Sequence, residues 1–219
     1  MIDNLASYLD LANHHADATP EQIKELCANV AKHKFNAAFV NPVYVPLAKR
    51  HLPHAKVGTV ISFPLGQDTM DTKLAAVKLA TRDGADELDI SANVALFKTA
   101  SWDQATAEMT QLVTAAKAVN SHIIVKFIIE TGYLTPDEIK RAALTVLQSG
   151  ANFVKTCSGM GPRGATLEDV KLIRQAIGNK IKLKVAGGIC TYKQALSFIA
   201  AGADRIGTSK AIEIVTSPV

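Results

Sequence analysis

The feature that most constrains this chain is a regular alternation of short β-branched runs with longer segments of helical period. "VGTVISF" (57–63), "HIIVKFIIE" (122–130), "NFVKT" (152–156) and "KLKVAG" (182–187) read as strands. The segments between them carry helix-start signals. Thr19 stands as an N-cap before Pro20 in the first helical turn. Thr135-Pro136-Asp137-Glu138 forms a capping box, and Thr166-Leu167-Glu168-Asp169 repeats it with Asp in place of Glu or Gln. The pattern predicts strands near 7–12, 36–41, 57–62, 86–90, 123–129, 152–156, 181–186 and 204–207. Helices are predicted near 20–33, 43–51, 69–83, 102–119, 136–149, 166–177, 192–201 and 209–215. Eight β/α units point to an α/β fold closed as one (β/α)8 TIM barrel, a single domain over 1–219, with little room for insertions.

An internal echo supports this register. Gly84-Ala85-Asp86-Glu87-Leu88-Asp89, Gly150-Ala151-Asn152-Phe153-Val154-Lys155 and Gly202-Ala203-Asp204-Arg205-Ile206-Gly207 each close a helix and open a strand. Side-chain layers in such a barrel come from alternate strands, so the sixth positions on strands 4, 6 and 8 share one height. Asp89 and Lys155 are therefore expected in one layer near the C-terminal mouth, with Gly207 leaving space beside them. A recurring helix-to-strand turn explains the Gly-Ala pairs. It does not explain a carboxylate and an amine ending apolar strands.

Composition narrows the classes of function. At 48% hydrophobic residues the chain is not disordered, and no apolar run is long enough to span a bilayer. The first residues lack the basic and apolar regions of a secretory signal. A net charge of +4 with scattered Lys and Arg, and only 5% aromatics, argues against nucleic-acid binding. A soluble, cytoplasmic metabolic protein is the expectation. Cys27, Cys157 and Cys190 show no CxxC spacing, and the histidines, including His14-His15 and His51/His54, show no HExxH. Neither a metal nor an organic cofactor is expected.

Three lysines stand inside apolar strands: Lys126 in "IIVKFIIE", Lys155 in "FVKTCSG" and Lys184 in "KLKVAGGI". A lone strand lysine is ordinarily snorkelling or salt-bridged. Three on consecutive strands are less easily explained that way, and inward amines on strands 6 and 7 would lie within several ångströms of each other. Burial and a like-charged neighbour both lower a lysine pKa, and a neutral amine is the nucleophile that forms Schiff bases with carbonyl compounds. Asp89 would serve as acid/base, and Glu130 offers a second carboxylate. Gly187-Gly188 after strand 7 and Gly207-Thr208-Ser209 after strand 8 fall where this fold binds phosphate, beside a short helix N-terminus.

Through "GADELDISAN", "VKFIIETGYLT", "FVKTCSGMGPRGATLEDVKLIR", "KVAGGI" and "GADRIGTS", with "FVNPVYVPLAK" and "TVISFPLG", the chain resembles the deoxyribose-phosphate aldolases, a class I aldolase family. The resemblance implies reversible cleavage of 2-deoxy-D-ribose 5-phosphate to acetaldehyde and D-glyceraldehyde 3-phosphate. It makes Lys155 the Schiff-base nucleophile, Lys184 the lysine that lowers its pKa, and Asp89 the acid/base group acting with a water. Lys126 and Asp10 belong to the supporting network, and Gly159, Gly187, Gly188, Gly207 and Ser209 to the phosphate site. A homodimer is consistent with the family.

Several residues depart from the family pattern. Asp10 is followed by Leu11-Ala12-Asn13-His14 rather than by Thr and leucines, so a substrate-facing hydroxyl is missing. Phe39 replaces a common cysteine, Cys157 lies next to the Lys155 motif, and Lys210 replaces a second serine where it is expected to pair with phosphate. The sequence closes at Ser217-Pro218-Val219 without the longer, aromatic-ended tail of some members. Two other readings stay open: a lysine-dependent aldolase or transaldolase-like enzyme for a different phosphosugar, and a phosphosugar-binding protein without turnover.

Overall fold

The computed structural model describes residues 4–217, so Pro218 and Val219 of the tail lie outside the described residues. Eight parallel strands follow in chain order: β1 (Leu9–Asn13), β2 (Ala37–Val40), β3 (Lys56–Ile61), β4 (Glu87–Ser91), β5 (Ile124–Ile128), β6 (Phe153–Lys155), β7 (Lys182–Ala186) and β8 (Arg205–Thr208). β8 pairs back onto β1, so the sheet closes as the expected (β/α)8 barrel. Around it run α1 (Pro20–His33), α2 (Val45–His51), α3 (Met70–Arg82), α4 (Val94–Lys98), α5 (Trp102–Val119), α6 (Pro136–Gln148), α7 (Leu167–Ile177), α8 (Tyr192–Ala200) and α9 (Ala211–Thr216).

Local chemistry sets the element ends. Thr135 with Glu138 and Thr166 with Asp169 form capping boxes as expected, and Thr19 does the same with Gln22. The echoed glycines Gly84, Gly150 and Gly202 have φ of 101°, 77° and 116°, a left-handed conformation that favours glycine after a helix. The third residue of each echo clamps the preceding strand. Asp86 accepts from Val57 N at 2.8 Å, Asn152 from Val125 N at 2.9 Å and Asp204 from Leu183 N at 2.7 Å. Backbone bonds of 2.7–2.9 Å return from the same residues to the same partners, so each turn locks strand register.

Several element ends differ from expectation, α2 among them, which starts at Val45 rather than 43 because Pro42–Tyr44 wind into a 3-10 turn. β1 begins at Leu9, because Leu5–Tyr8 wind into a 3-10 turn. The five-residue α4 was not expected; it is too short to show a period, and the Asn93 side chain starts it by accepting from Ala95 N. The last helix begins at Ala211 rather than 209, since Thr208 Oγ1 accepts from Lys210 N and holds Ser209 and Lys210 in a turn.

Strand residues facing the helices are apolar and buried, among them Leu11, Ile90, Phe127, Val154, Val185 and Ile206. The inward faces are different. Strand register, advanced by one residue per strand as the tilt of such a barrel requires, stacks the interior in layers of four. The lowest of three consecutive layers holds Ala37, Glu87, Phe153 and Arg205. Above it lie Asp10, Gly58, Lys126 and Lys184, and above those Phe39, Asp89, Lys155 and Gly207. Polar side chains thus fill the centre of the barrel, and the helix–sheet interface supplies the hydrophobic core.

Candidate active site

A cavity of about 280 Å³ opens at the C-terminal mouth of the barrel, near the lower end of the usual size for small-molecule sites. Lys155 and Lys184 line it, with Ala12, His14 and Phe39 on one side. Gly159, Gly187, Gly188, Gly207 and Ser209 line the other side. Asp89, Asp10 and Lys126 lie fully buried beneath, in the two charged layers. The residues singled out in the sequence are therefore brought together, five in a charged interior and five along the cavity wall.

Asp89 is the hub. Its Oδ2 lies 2.8 Å from Lys155 Nζ and 2.9 Å from Lys184 Nζ, and its Oδ1 lies 3.0 Å from Lys126 Nζ. Lys184 Nζ also approaches Asp10 Oδ2 at 2.8 Å, while Asp10 Oδ1 accepts from Arg205 at 2.8 Å and from Asn36 at 2.9 Å. One layer down, Glu87 pairs with Lys126 at 2.5 Å. Glu87 and Arg205 were missed in the sequence, although each stands two residues before an inward position, Asp89 and Gly207, and so shares its face.

The charge balance of this interior decides the state of Lys155. Among the described residues it holds three carboxylates, Asp10, Glu87 and Asp89, and four cationic side chains, Lys126, Lys155, Lys184 and Arg205. One cation is in excess. Burial lowers the Lys155 pKa, Asp89 opposes this, and the ammonium groups of Lys184 and Lys126 add to the lowering; the net direction is down. Lys126 goes the other way, because Asp89 and Glu87 on its two sides outweigh its burial. Asp89 is buried too, yet three ammonium groups hold its carboxyl well below the ordinary value. Burial pushes Asp10 upward, and any protonation there widens the cation excess further.

Phe39 closes the space beside these lysines. Lys184 Nζ lies 3.4 Å from its ring centroid and Lys126 Nζ 4.7 Å, within cation–π range. The ring fits because Gly58 has no side chain: a Cβ there would stand 2.3 Å from Phe39 Cζ. Gly207 likewise makes room for Lys184, whose Cε would lie 2.8 Å from an added Cβ.

On the opposite wall, Gly187 and Gly188 have φ of 100° and 79°, a backbone that exposes main-chain groups along the cavity. Lys210 lines the same region, but its Nζ is paired with Glu213 at 2.9 Å. One expectation is corrected. Glu130 does not join Asp89: beyond the end of β5 the chain turns, Glu130 adopts φ 52°, and its Oε2 accepts from Ser158 N at 3.0 Å in a neighbouring pocket. Cys157 does not line the cavity either. β6 ends at Lys155, and the buried Cys157 thiol contacts Thr131 Oγ1 at 3.1 Å, its pKa pushed up to about 11 by burial. The thiol that does line the cavity belongs to Cys190. Among the described residues no three His, Cys, Asp or Glu side chains gather as a metal-binding group. Nor is any helix among them long and apolar enough to cross a membrane.

Residues 5–210 match the DeoC/LacD family of aldolases. A deoxyribose-phosphate aldolase of Thermococcus gammatolerans is 42% identical over 216 residues, covering 97% of this chain and 95% of its own. Among solved structures, QR15, an aldolase, is 38% identical with a TM-score of 0.93, over 99% of this chain and 96% of that one. A deoxyribose phosphate aldolase from Aeropyrum pernix, solved as a tetramer, is 28% identical with a TM-score of 0.90, over 97% of this chain and 90% of its own. With this agreement along nearly its whole length, the chain belongs to the DeoC/LacD family of aldolases.

Proposed function

We propose that this protein is a class I aldolase that reversibly cleaves 2-deoxy-D-ribose 5-phosphate to acetaldehyde and D-glyceraldehyde 3-phosphate through a Schiff base on Lys155. The observation that carries the reading is the excess cation. Burial and the neighbouring ammonium groups lower the pKa of Lys155, and its side chain reaches the cavity. The substrate is taken from the family resemblance and from relatives of this identity, and the cavity accepts it in chemical terms. An electrophilic carbon meets Lys155 at the floor, and a phosphate meets Gly159, Gly187, Gly188, Gly207 and Ser209 at the rim.

Neutral Lys155 attacks C1 of the open-chain sugar to give a carbinolamine. Lys184, held on the same Asp89 oxygen, delivers the proton that lets water leave and the iminium form. The iminium then draws the electrons of the C2–C3 bond as the C3 hydroxyl proton passes to the Asp89–Lys184 pair. D-Glyceraldehyde 3-phosphate departs, leaving an enamine. Protonation at C2 and hydrolysis release acetaldehyde and return Lys155 as the amine. The cations around Asp89 hold its carboxyl well below the ordinary value, so it stays a carboxylate that orients the two lysines, and Lys184, having given up its proton, is the group that takes the C3 hydroxyl proton. Lys126 and Asp10 fix the two flanks of that arrangement.

The same reading makes the whole chain, 1–219, one catalytic domain acting in the cytoplasm and assembled as a homodimer. The test is a panel of sugar phosphates followed by aldehyde release. Cleavage of 2-deoxy-D-ribose 5-phosphate in preference to ribose 5-phosphate and to hexose phosphates supports the assignment. Preference for another sugar phosphate moves the protein to a different aldolase activity, and binding without release of aldehyde removes the catalytic reading.

A further inference from the structure

β1 brings a side chain to the cavity that the mechanism above does not use. Its inward positions are two apart: Asp10 in the charged layer, Ala12 above it, and His14 just past the strand end at the rim. Ala12 offers only a methyl group, so the space over it stays open toward the imidazole. The loop holding His14 is tied down. His15 N donates to Asn13 Oδ1 at 3.2 Å, Asn41 Nδ2 donates to His15 O at 3.3 Å, and the His14 ring packs on Phe63 at 5.4 Å between centroids. His14 thus presents a fixed ring to the cavity.

That ring has hydrogen-bonding capacity to spare. Among the described residues His14 makes no hydrogen bond, and its Nδ1 is buried without a partner. Two other neutral hydroxyls along the wall are engaged, and the hydroxyl of Ser209 lies on the far wall with Gly187, Gly188 and Gly207. Thr208 Oγ1 donates to Ile189 O at 2.7 Å, and Ser158 Oγ accepts from Met160 N at 2.9 Å. Burial above all lowers the His14 pKa to about 3, so the imidazole is neutral at working pH and offers one donor and one acceptor rather than a charge. A neutral ring is suited to a hydroxyl and poorly suited to a phosphate.

We infer that His14 is a specificity-determining residue that hydrogen-bonds the C4 hydroxyl of the substrate, which is the 2-hydroxyl of the aldehyde acceptor. The inference rests on the aldolase reading, which fixes both ends of the sugar. C1 lies on Lys155 at the floor, and the phosphate lies over β7 and β8 at the rim. The C3 hydroxyl points down to Asp89 and Lys184, where its proton leaves. The next carbon toward the rim carries its hydroxyl past β1, the neighbour of β8, at a level where Ala12 supplies no polar atom and His14 does.

The experiment compares two acceptors in condensation with acetaldehyde: D-glyceraldehyde 3-phosphate and 3-oxopropyl phosphate, which lacks only the relevant hydroxyl. The ratio of their kcat/KM values is internal to each variant and cancels any loss of folded enzyme. One hydrogen bond between neutral groups is worth about three- to tenfold. His14→Leu is therefore expected to lower the preference for the hydroxylated acceptor by that factor, while His14→Gln, whose amide reaches to a similar distance, keeps it within about twofold. An unchanged preference in His14→Leu overturns the assignment. Should His14→Leu form no product, His14→Gln against the shorter His14→Asn carries the comparison, and equal ratios in those two overturn it as well. Failure of the unsubstituted protein to condense either acceptor is a different result, and removes the aldolase reading itself.

Discussion

Replacing Lys184 by methionine removes the cation that shares an oxygen of Asp89 with Lys155, and keeps most of the side-chain volume beside Phe39 and Gly207. The two amines are 2.8 and 2.9 Å from that oxygen. They are thus no more than about 5.7 Å apart, and at an effective dielectric of about 20 their repulsion is about 3 kcal/mol. Removing Lys184 favours the charged form of Lys155, so the Lys155 pKa rises. It also leaves three carboxylates facing three cations, Lys155 among them, so the ammonium is no longer in excess. The assay is the rate of reductive trapping with acetaldehyde as a function of pH. Its acid limb, set by the neutral fraction of Lys155, should move to higher pH, and trapping should fall further near neutrality than on the alkaline plateau, where only the proton delivery by Lys184 is missing. A limb that stays in place or moves down would refute the charge-balance account of why Lys155 is the nucleophile.

Three further predictions concern the scaffold. Gly58→Ala drives a methyl group into the Phe39 ring and should cost about 1–3 kcal/mol, read as a fall in Tm, and adding Phe39→Leu should restore much of it. Asn152→Ala strips the acceptor from Val125 N at the start of β5, so thermal denaturation should show a loss of about 1–3 kcal/mol; no change would mean the echoed turns do not lock register. Burial raises the Glu87 pKa, but Lys126 and Arg205 outweigh it and bring the group from 4.5 to about 2. A depressed carboxyl stabilises the fold above its unfolded value, so that contribution is lost as pH falls from about 4.5 toward 2, and Glu87→Gln should flatten Tm against pH across that interval.

Much of the fold is visible in the sequence because its signals are local. A Gly-Ala pair, a short apolar run and a Thr-x-x-acid start recur often enough to count units, and each corresponds to a turn or cap whose bonds the structure shows. The catalytic candidates are visible for a related reason. An amine or carboxylate at an inward strand position contradicts the apolar pattern around it, as Lys126, Lys155, Lys184 and Asp89 do. Glu87 and Arg205 escape notice because they stand next to polar turn residues, where a charge looks ordinary. The positions of Glu130 and Cys157 are not legible from spacing, since the two-residue period holds only while the strand lasts, and β5 and β6 end at Ile128 and Lys155. Phe39 over Lys184 is hidden for another reason: their contact spans strands far apart in sequence and depends on the space that Gly58 leaves.

On the proposed mechanism Lys155 alone of the buried lysines forms the covalent intermediate. The most direct test is borohydride reduction in the presence of acetaldehyde, followed by proteolysis and mass spectrometry of the lysine-bearing peptides. A single reduced ethyl adduct is expected on Lys155 and none on Lys126 or Lys184, with the adduct lost in Lys155→Met. An adduct on Lys184, or no adduct in a protein that still cleaves 2-deoxy-D-ribose 5-phosphate, would contradict that mechanism.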